Sequence, residues 1–118
     1  MHDYKKLRLW QQSIELVKEI YKLTKNFPSE EKFGLTNQIR RSAVSVPSNI
    51  AEGAGRNTKG EFKNFLGVAN GSLFELETQL IISKDMNYLK DYNLNLLLPK
   101  IDMLQKMIYN LIKSVNNN

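Results

Sequence analysis

The sequence predicts an all-α protein, a single antiparallel up-down-up-down four-helix bundle over residues 1–118. Apolar residues recur every three or four positions in four segments, as on the buried face of an amphipathic helix. Proline, glycine and capping residues separate these segments, and no segment shows the apolar and polar alternation of a β-strand. Short connections between four helices of similar length favour neighbours that run in opposite directions.

The first two helices are separated by a proline. The stripe expected to be buried on the first helix is Trp10, Ile14, Val17, Tyr21 and Thr24, widened by Leu9, Leu16, Ile20 and Leu23. This helix is expected to end before Phe27-Pro28, because proline disfavours helical geometry in the residue before it. Ser29 is expected to cap the second helix, with Glu30 and Glu31 placing negative charge near its N terminus.

The second helix contains a proline. Its buried stripe is Leu35, Ile39, Ala43, Val46 and Ile50. Pro47 predicts a kink, because its ring removes one backbone N–H and crowds the preceding turn. The hydroxyls of nearby serines are expected to bond the freed backbone groups; these are Ser42, Ser45 and Ser48. Gly53 and Gly55 are expected to end the helix in left-handed geometry.

The last two helices have capping signals. Thr58 and Glu61 have the spacing of a capping box, so the third helix is expected to start there. Its inward stripe is Phe62, Leu66 (or Phe65), Ala69, Leu73, Leu76 and Leu80. Asp91 is expected to cap the fourth helix, although Pro99 leaves a start near Leu98 as the alternative. The fourth stripe is Leu94, Leu98, Ile101, Leu104, Ile108, Leu111 and Val115.

Composition limits the class of protein. The chain lacks cysteine and lacks the long apolar run of a signal peptide or a membrane span, so we expect a cytoplasmic protein with no membrane partner. Its net charge of +5 attracts phosphates, because cationic side chains release counterions from nucleic acid.

No enzyme site is predicted. His2 is the only histidine, so neither a Ser-His-Asp triad nor a histidine metal cluster can be assembled. Gly55 to Gly60 has the glycine spacing of a phosphate loop, but Glu61-Phe62 replaces the required Lys and Ser/Thr. We therefore expect no cofactor, no metal and no catalytic residue, and we interpret Glu75 and Glu77 as surface or interface groups.

The second helix also carries a polar stripe opposite its apolar one, made of Arg41, Ser45, Ser48, Glu52 and Arg56. Two interpretations remain open: a solvated face on which Glu52 bonds Arg41 or Arg56, and an interface between subunits. A third interpretation is a phosphate-contacting patch of Arg40, Arg41, Arg56, Lys59 and Lys63. The aromatic residues Trp10, Phe62 and Phe65 are assigned to packing.

One long motif runs from Gln38 to Gly53, with the sequence QIRRSAVSVPSNIAEG, and is followed by Gly55-Arg56. Supporting segments are LWQ at 9–11, FP at 27–28, EKFGL at 31–35, FKNFL at 62–66 and ANGSLFELET at 69–78. In these segments the chain resembles the 23S ribosomal RNA intervening-sequence proteins, over nearly its whole length. It is more distantly similar to the accessory protein of diversity-generating retroelements, a basic ring that partners a reverse transcriptase and nucleic acid.

The resemblance implies a kinked second helix and a ring-shaped homo-oligomer, a pentamer. The family-typical positions that it marks are Arg40, Arg41, Asn49, Glu52, Gly53 and Arg56. We expect Asn49 and Glu52 to organise the structure or the subunit interface, and the remaining candidates for that role are Ser45, Pro47, Ser48 and Gly53.

These observations lead to one expected function and one alternative. The first is a non-enzymatic oligomeric binding protein whose basic surface contacts RNA or another nucleic acid through phosphates. The alternative is a protein-interaction adaptor or scaffold, in which the ring presents helix faces to a protein partner and binds no nucleic acid.

Overall fold

The structure, a computed structural model, describes residues 3–117. It contains four α-helices in that range: α1 (Arg8–Thr24), α2 (Leu35–Ala54), α3 (Lys59–Asp85) and α4 (Asp91–Asn116). Two short 3₁₀ helices, Tyr4–Lys6 and Ser29–Glu31, flank α1, and no strand occurs among the described residues. None of these helices is both long and apolar enough to span a lipid bilayer. The all-α four-helix bundle predicted from the sequence is confirmed.

The core is built from one face of each helix. Consecutive helices contact each other and α1 also contacts α4, with the most extensive contact between α2 and α3. The fully buried large side chains include Ile20, Ile39, Val46, Ile50, Leu66, Leu73, Leu76, Leu80, Ile101, Leu104 and Ile108. Leu66 rather than Phe65 fills the core on α3, and Leu97 rather than Leu98 does so at the start of α4. Trp10 packs against this core, as predicted.

Pro47 is buried inside α2, and the helix continues past it to Ala54. The predicted kink at Pro47 and the up-down-up-down order of the helices stay predictions.

The connection between α1 and α2 differs from the prediction. Ser29 does not cap α2, because Ser29–Glu31 forms a separate 3₁₀ helix and α2 starts only at Leu35. Instead, Glu31 Oε1 accepts a hydrogen bond from the backbone N–H of Leu35 at 3.1 Å. The other carboxylate oxygen of Glu31 accepts from the Tyr88 hydroxyl at 3.0 Å, and the Tyr88 ring lies 5.7 Å from that of Phe27. The α1–α2 and α3–α4 connections therefore meet at one end of the bundle.

The glycines near the end of α2 also differ from the prediction. No described glycine has a positive φ, and Gly55 sits at the C-cap with φ −85°, so left-handed geometry does not end the helix. Gly53 is buried inside α2, where a Cβ atom would lie 2.7 Å from Phe65 Cβ and 3.1 Å from Phe62 Cδ1. Gly53 is thus required for the close approach of α2 and α3.

The start of α3 agrees with the prediction and the start of α4 does not. Thr58 caps α3 by accepting from the backbone N–H of Glu61 at 3.1 Å. Lys90, not Asp91, occupies the N-cap of α4, and its side chain makes no capping bond. Asp91 instead lies in the first turn, where a carboxylate favours the positive end of the helix dipole. Because α4 is continuous through Pro99, a start near Leu98 is wrong.

Candidate functional site

A chain of hydrogen bonds joins α2 to α3 inside the predicted polar stripe. The Asn49 side-chain amide donates to the Ser45 carbonyl at 2.8 Å and to Ser45 Oγ at 2.9 Å. Ser45 Oγ lies 2.8 Å from Ser72 Oγ, and the Ser72 hydroxyl donates to the Val68 carbonyl at 3.1 Å. Ser45 and Asn49 therefore act within the fold by tying two helices together.

A polar groove with a volume of about 500 Å³ lies between α2 and α3, bounded by this Ser45–Ser72 contact. Its lining residues are Phe33, Asn37, Gln38, Arg41, Ser42, Ser45, Ser72, Glu75 and Gln79, and we call it the α2–α3 groove. The Ser42 hydroxyl makes no hydrogen bond among the described residues, although Ser42 is only 7% exposed. The buried Oε1 of Gln79 also has no partner there. Buried polar atoms are usually hydrogen-bonded, so Gln79 Oε1 marks the groove as a place for a polar ligand or water.

The serines near Pro47 do not have the predicted role. Within residues 3–117, Ser42, Ser45 and Ser48 make no side-chain bond to the backbone of α2, and it is the Asn49 amide that reaches a carbonyl of that helix. Ser48 is exposed to solvent.

The outer half of the polar stripe is an ion pair. Glu52 Oε1 accepts from the Arg56 guanidinium at 3.2 Å, so Arg56, and not Arg41, is its partner among the two that the sequence left open. The Arg56 guanidinium also lies 3.7 Å from Glu61 Oε2 and 4.8 Å from the Phe65 ring. Arg56 is therefore held at the α2–α3 connection by three neighbours, which leaves its charge largely compensated.

Two other cations of the predicted patch, Arg40 and Lys63, also donate hydrogen bonds to neighbouring helices. Arg40 is half-buried, its Nε donates to Thr24 Oγ1 at 2.9 Å, and its guanidinium lies 4.6 Å from the Tyr21 ring. Arg40 thus ties α2 to the end of α1. Lys63 Nζ donates to Asn116 Oδ1 at 2.6 Å and so ties α3 to the end of α4.

The five cations do not form one patch, contrary to that interpretation of the sequence. Arg41 lies in the second turn of α2 and Arg56 lies two residues beyond Ala54, the last residue of that helix, which is about 20 Å from Arg41 along the helix axis. Of the five cations of the predicted patch, only Arg41 and Lys59 are exposed without an ion pair to a described residue, and they belong to opposite ends of the bundle. Arg41 lies in the wall of the α2–α3 groove.

A different group of cations is free around the α1–α2 connection. Lys22, Lys25, Lys32 and Arg41 are all exposed, and in the described part of the chain none of them pairs with a carboxylate; we call them the α1–α2 basic surface. By contrast, the lysines midway along the bundle are paired: Lys18 with Glu15, Lys100 with Glu19 and Lys106 with Asp102. Lys22 and Lys25 belong to no motif, and Lys32 was considered only as part of the EKFGL segment at 31–35, so these lysines were missed. Residues 22–41 nevertheless hold five cations and two carboxylates, a charge excess that is visible in the sequence.

The acidic residues of this connection are partly used by the fold. The Glu31 carboxylate bonds the Leu35 N–H and the Tyr88 hydroxyl, which leaves Glu30 as the exposed carboxylate of the connection. The hydrogen bond to Glu31, together with partial burial, raises the pKa of Tyr88 above its ordinary value of 10.0. No group of three or more His, Cys, Asp and Glu within residues 3–117 could hold a metal ion, and His2 lies outside the described residues.

Comparison with known proteins identifies the family. A sequence model of the 23S rRNA-intervening sequence proteins matches residues 5–110. The chain belongs to this family. The match confirms the resemblance carried by the motif from Gln38 to Gly53, and it includes the α2–α3 groove and the α1–α2 basic surface.

A solved crystal structure shares the fold. A crystal structure of a protein of unknown function from the S23 ribosomal protein family of Bacteroides thetaiotaomicron superposes with a TM-score of 0.80. The two chains are 24% identical, and the superposition covers 89% of this chain and 98% of the other. At this identity the likeness shows the fold alone. No curated protein shows significant similarity to the chain.

Proposed function

We propose that this member of the 23S rRNA-intervening sequence protein family is a non-enzymatic, cytoplasmic binding protein that contacts RNA through its phosphates. The α1–α2 basic surface carries the proposal, because Lys22, Lys25, Lys32 and Arg41 are exposed and lack carboxylate partners in the described structure. Cations of this kind bind phosphates by releasing counterions, with little discrimination of sequence.

The other predicted cations have smaller roles in this proposal. Arg40 and Lys63 donate to neutral groups of adjacent helices, and Arg56 lies between two carboxylates. Lys59 is exposed at the opposite end of the bundle, so it could reach only a different part of a long RNA.

A salt titration of RNA binding tests the proposal. A labelled single-stranded RNA is titrated with the wild type and with a Lys22→Ala/Lys25→Ala/Lys32→Ala variant. Each phosphate contact contributes about 0.7 to the slope of log affinity against log salt for a single strand, so the variant should lose about 2 from that slope.

The matched control removes three lysines that are already paired. A Lys18→Ala/Lys100→Ala/Lys106→Ala variant has the same net charge as the first variant but leaves the α1–α2 basic surface intact. It should keep the wild-type slope. The proposal fails if the wild type binds no RNA at low salt, if binding ignores salt, or if both triple variants lose the same slope.

We also propose that the protein is a homo-oligomer, for which the family resemblance implies a pentameric ring. The support is apolar surface that the bundle leaves exposed on α3, where Val68 is 52%, Phe74 55% and Ile82 45% exposed. Large exposed apolar patches are typical of protein contact surfaces. Light scattering of nuclease-treated protein measures the mass, and a monomer at micromolar concentration would contradict this proposal.

An adaptor function is the second candidate, and the exposed face of α4 favours it. Tyr92, Leu96 and Met103 are 61%, 61% and 52% exposed, at spacings that place them on one helix face. The adaptor function predicts a protein partner that is retained after nuclease treatment, is lost with Leu96→Ala/Met103→Ala, and is kept by the variant of the α1–α2 basic surface.

A further inference from the structure

Phe33 lies at the open end of the α2–α3 groove in an unusual environment. Its side chain is 87% exposed, the highest value among the exposed large apolar residues of the described chain, and Lys32 Nζ lies 5.5 Å from its ring. Phenylalanine is normally among the more buried residue types, and here the ring gains little from the core. An aromatic ring presented beside a cation and a polar groove provides a stacking surface.

The groove has the dimensions of a small-ligand site. Along α2 it extends from Asn37 to Ser45, about 12 Å, and the Ser45–Ser72 contact closes the end opposite Phe33. Its volume of about 500 Å³ lies in the range of small-molecule pockets. One nucleotide fits a groove of this length and volume.

The two walls differ in chemistry. The α2 wall provides a positive charge through Arg41, and hydrogen-bond donors through the unpartnered hydroxyl of Ser42 and the amides of Asn37 and Gln38. The α3 wall provides acceptors through the Glu75 carboxylate and the unpartnered Oε1 of Gln79. Glu75 and Gln79 are four residues apart and therefore lie on one face of α3. Apart from Phe33 the lining is polar, which favours a hydrogen-bonding ligand over the apolar face of a partner helix.

We propose that the α2–α3 groove binds one unstacked nucleotide of a single-stranded RNA. The base stacks on Phe33, its exocyclic amino group donates to Glu75 and to Gln79 Oε1, and the adjacent phosphate contacts Arg41. This inference rests on the proposed RNA binding, because Arg41 belongs to both the groove and the α1–α2 basic surface. An exocyclic amino group has two N–H bonds for the two acceptors Glu75 and Gln79 Oε1, whereas uracil offers only its single N3–H, so the groove favours adenine, cytosine and guanine over uracil.

The test uses three labelled oligouridylates that differ only at the central position, which is adenosine, uridine or an abasic sugar. Fluorescence anisotropy at moderate salt measures their affinities for the full chain. Stacking on one aromatic side chain should make the adenosine oligonucleotide bind at least about fivefold more tightly than the abasic one. The uridine oligonucleotide should bind with an intermediate affinity.

Matched variants locate the effect. Phe33→Ala should remove most of the difference between adenosine and abasic oligonucleotides, whereas Tyr109→Ala, at an exposed aromatic residue of α4 outside the groove, should keep it. Glu75→Gln should remove the preference for adenosine over uridine, whereas Glu77→Gln, with the same change of charge, should keep it. All four positions lie at least partly at the surface, so the variants are expected to fold.

The outcomes separate this inference from the proposed function. If the wild type binds all three oligonucleotides equally and with steep salt dependence, the base site is refuted while phosphate binding stands. If Phe33→Ala and Tyr109→Ala have equal effects, or if Phe33→Ala changes the light-scattering mass and not the RNA affinity, the groove is not a base site. If no RNA binds at low salt, both proposals fall.

Discussion

Replacing Gly53 by alanine should destabilise the protein by about 2 kcal/mol, although alanine is the better helix former. The added Cβ would lie 2.7 Å from Phe65 Cβ, an atom fixed to the α3 backbone, and 3.1 Å from the ring of Phe62. The two helices must therefore separate locally, and overpacking of this kind costs about 1–3 kcal/mol. Contact with an atom that cannot rotate away places the cost at the upper end. The higher helix propensity of alanine returns about 1 kcal/mol, which leaves a net loss of about 2 kcal/mol.

Urea unfolding at equilibrium measures this change, and the thermal midpoint should fall by about 8 °C for a chain of this length. Gly60→Ala is the matched control, because no atom lies within 4 Å of a Cβ built there in the first turn of α3. It should leave stability unchanged or raise it slightly. If Gly53→Ala is as stable as the wild type, the close approach of α2 and α3 does not depend on this glycine, and the reasoning is refuted.

Three further predictions concern other contacts. Because the pKa of Tyr88 is raised in the folded state, the free energy of unfolding should fall as pH rises from about 10 through that pKa. Urea titrations at pH 9 to 11 should show a smaller fall for Tyr88→Phe than for the wild type. An equal fall would contradict the role of the hydrogen bond from Tyr88 to Glu31. Arg40→Ala should lower the free energy of unfolding by about 1–2 kcal/mol with little effect on RNA affinity, because its hydrogen bond is internal. Arg41→Ala should weaken RNA binding and leave stability within about 0.5 kcal/mol, and the reverse pattern would refute both assignments. A Cβ built at Gly71 in α3 meets no atom within 4 Å, so Gly71→Ala should stabilise the protein by about 0.5–1 kcal/mol. Thermal unfolding at low protein concentration measures this change, and a loss of stability would show that another subunit covers this face of α3.

The fold was predictable where one residue decides the local geometry. As predicted, α1 ends before Phe27-Pro28, at Thr24, and the Thr58 hydroxyl caps α3. Prediction failed where local signals compete, since Ser29 and Glu31 both offer acceptors to the start of α2 and Glu31 is the one used. Gly53 was misread because its role is set by α3 residues 9 and 12 positions later, which a local pattern does not reveal.

The candidate site was less predictable than the fold. Arg40 and Arg41 are adjacent in the sequence, but a helix turns about 100° per residue, so Arg40 contacts α1 while Arg41 lines the α2–α3 groove. Their different uses depend on the helix that packs beside each one. The groove likewise depends on Glu75 and Gln79, which no motif connects to α2.

The helix contacts are unevenly distributed, and this has a dynamic consequence. The α2–α3 pair has the most extensive contact and the close approach at Gly53, whereas α1 and α4 share the smallest contact, bridged by the Lys100 to Glu19 ion pair at 2.7 Å. Native-state hydrogen exchange should therefore show α1 and α4 opening in smaller, more frequent events, while the amides of α2 and α3 exchange only when the whole domain unfolds. Most of the α2–α3 groove is formed by the slowly exchanging pair, so we expect the two helical walls of the proposed nucleotide site to stay folded while α1 and α4 open.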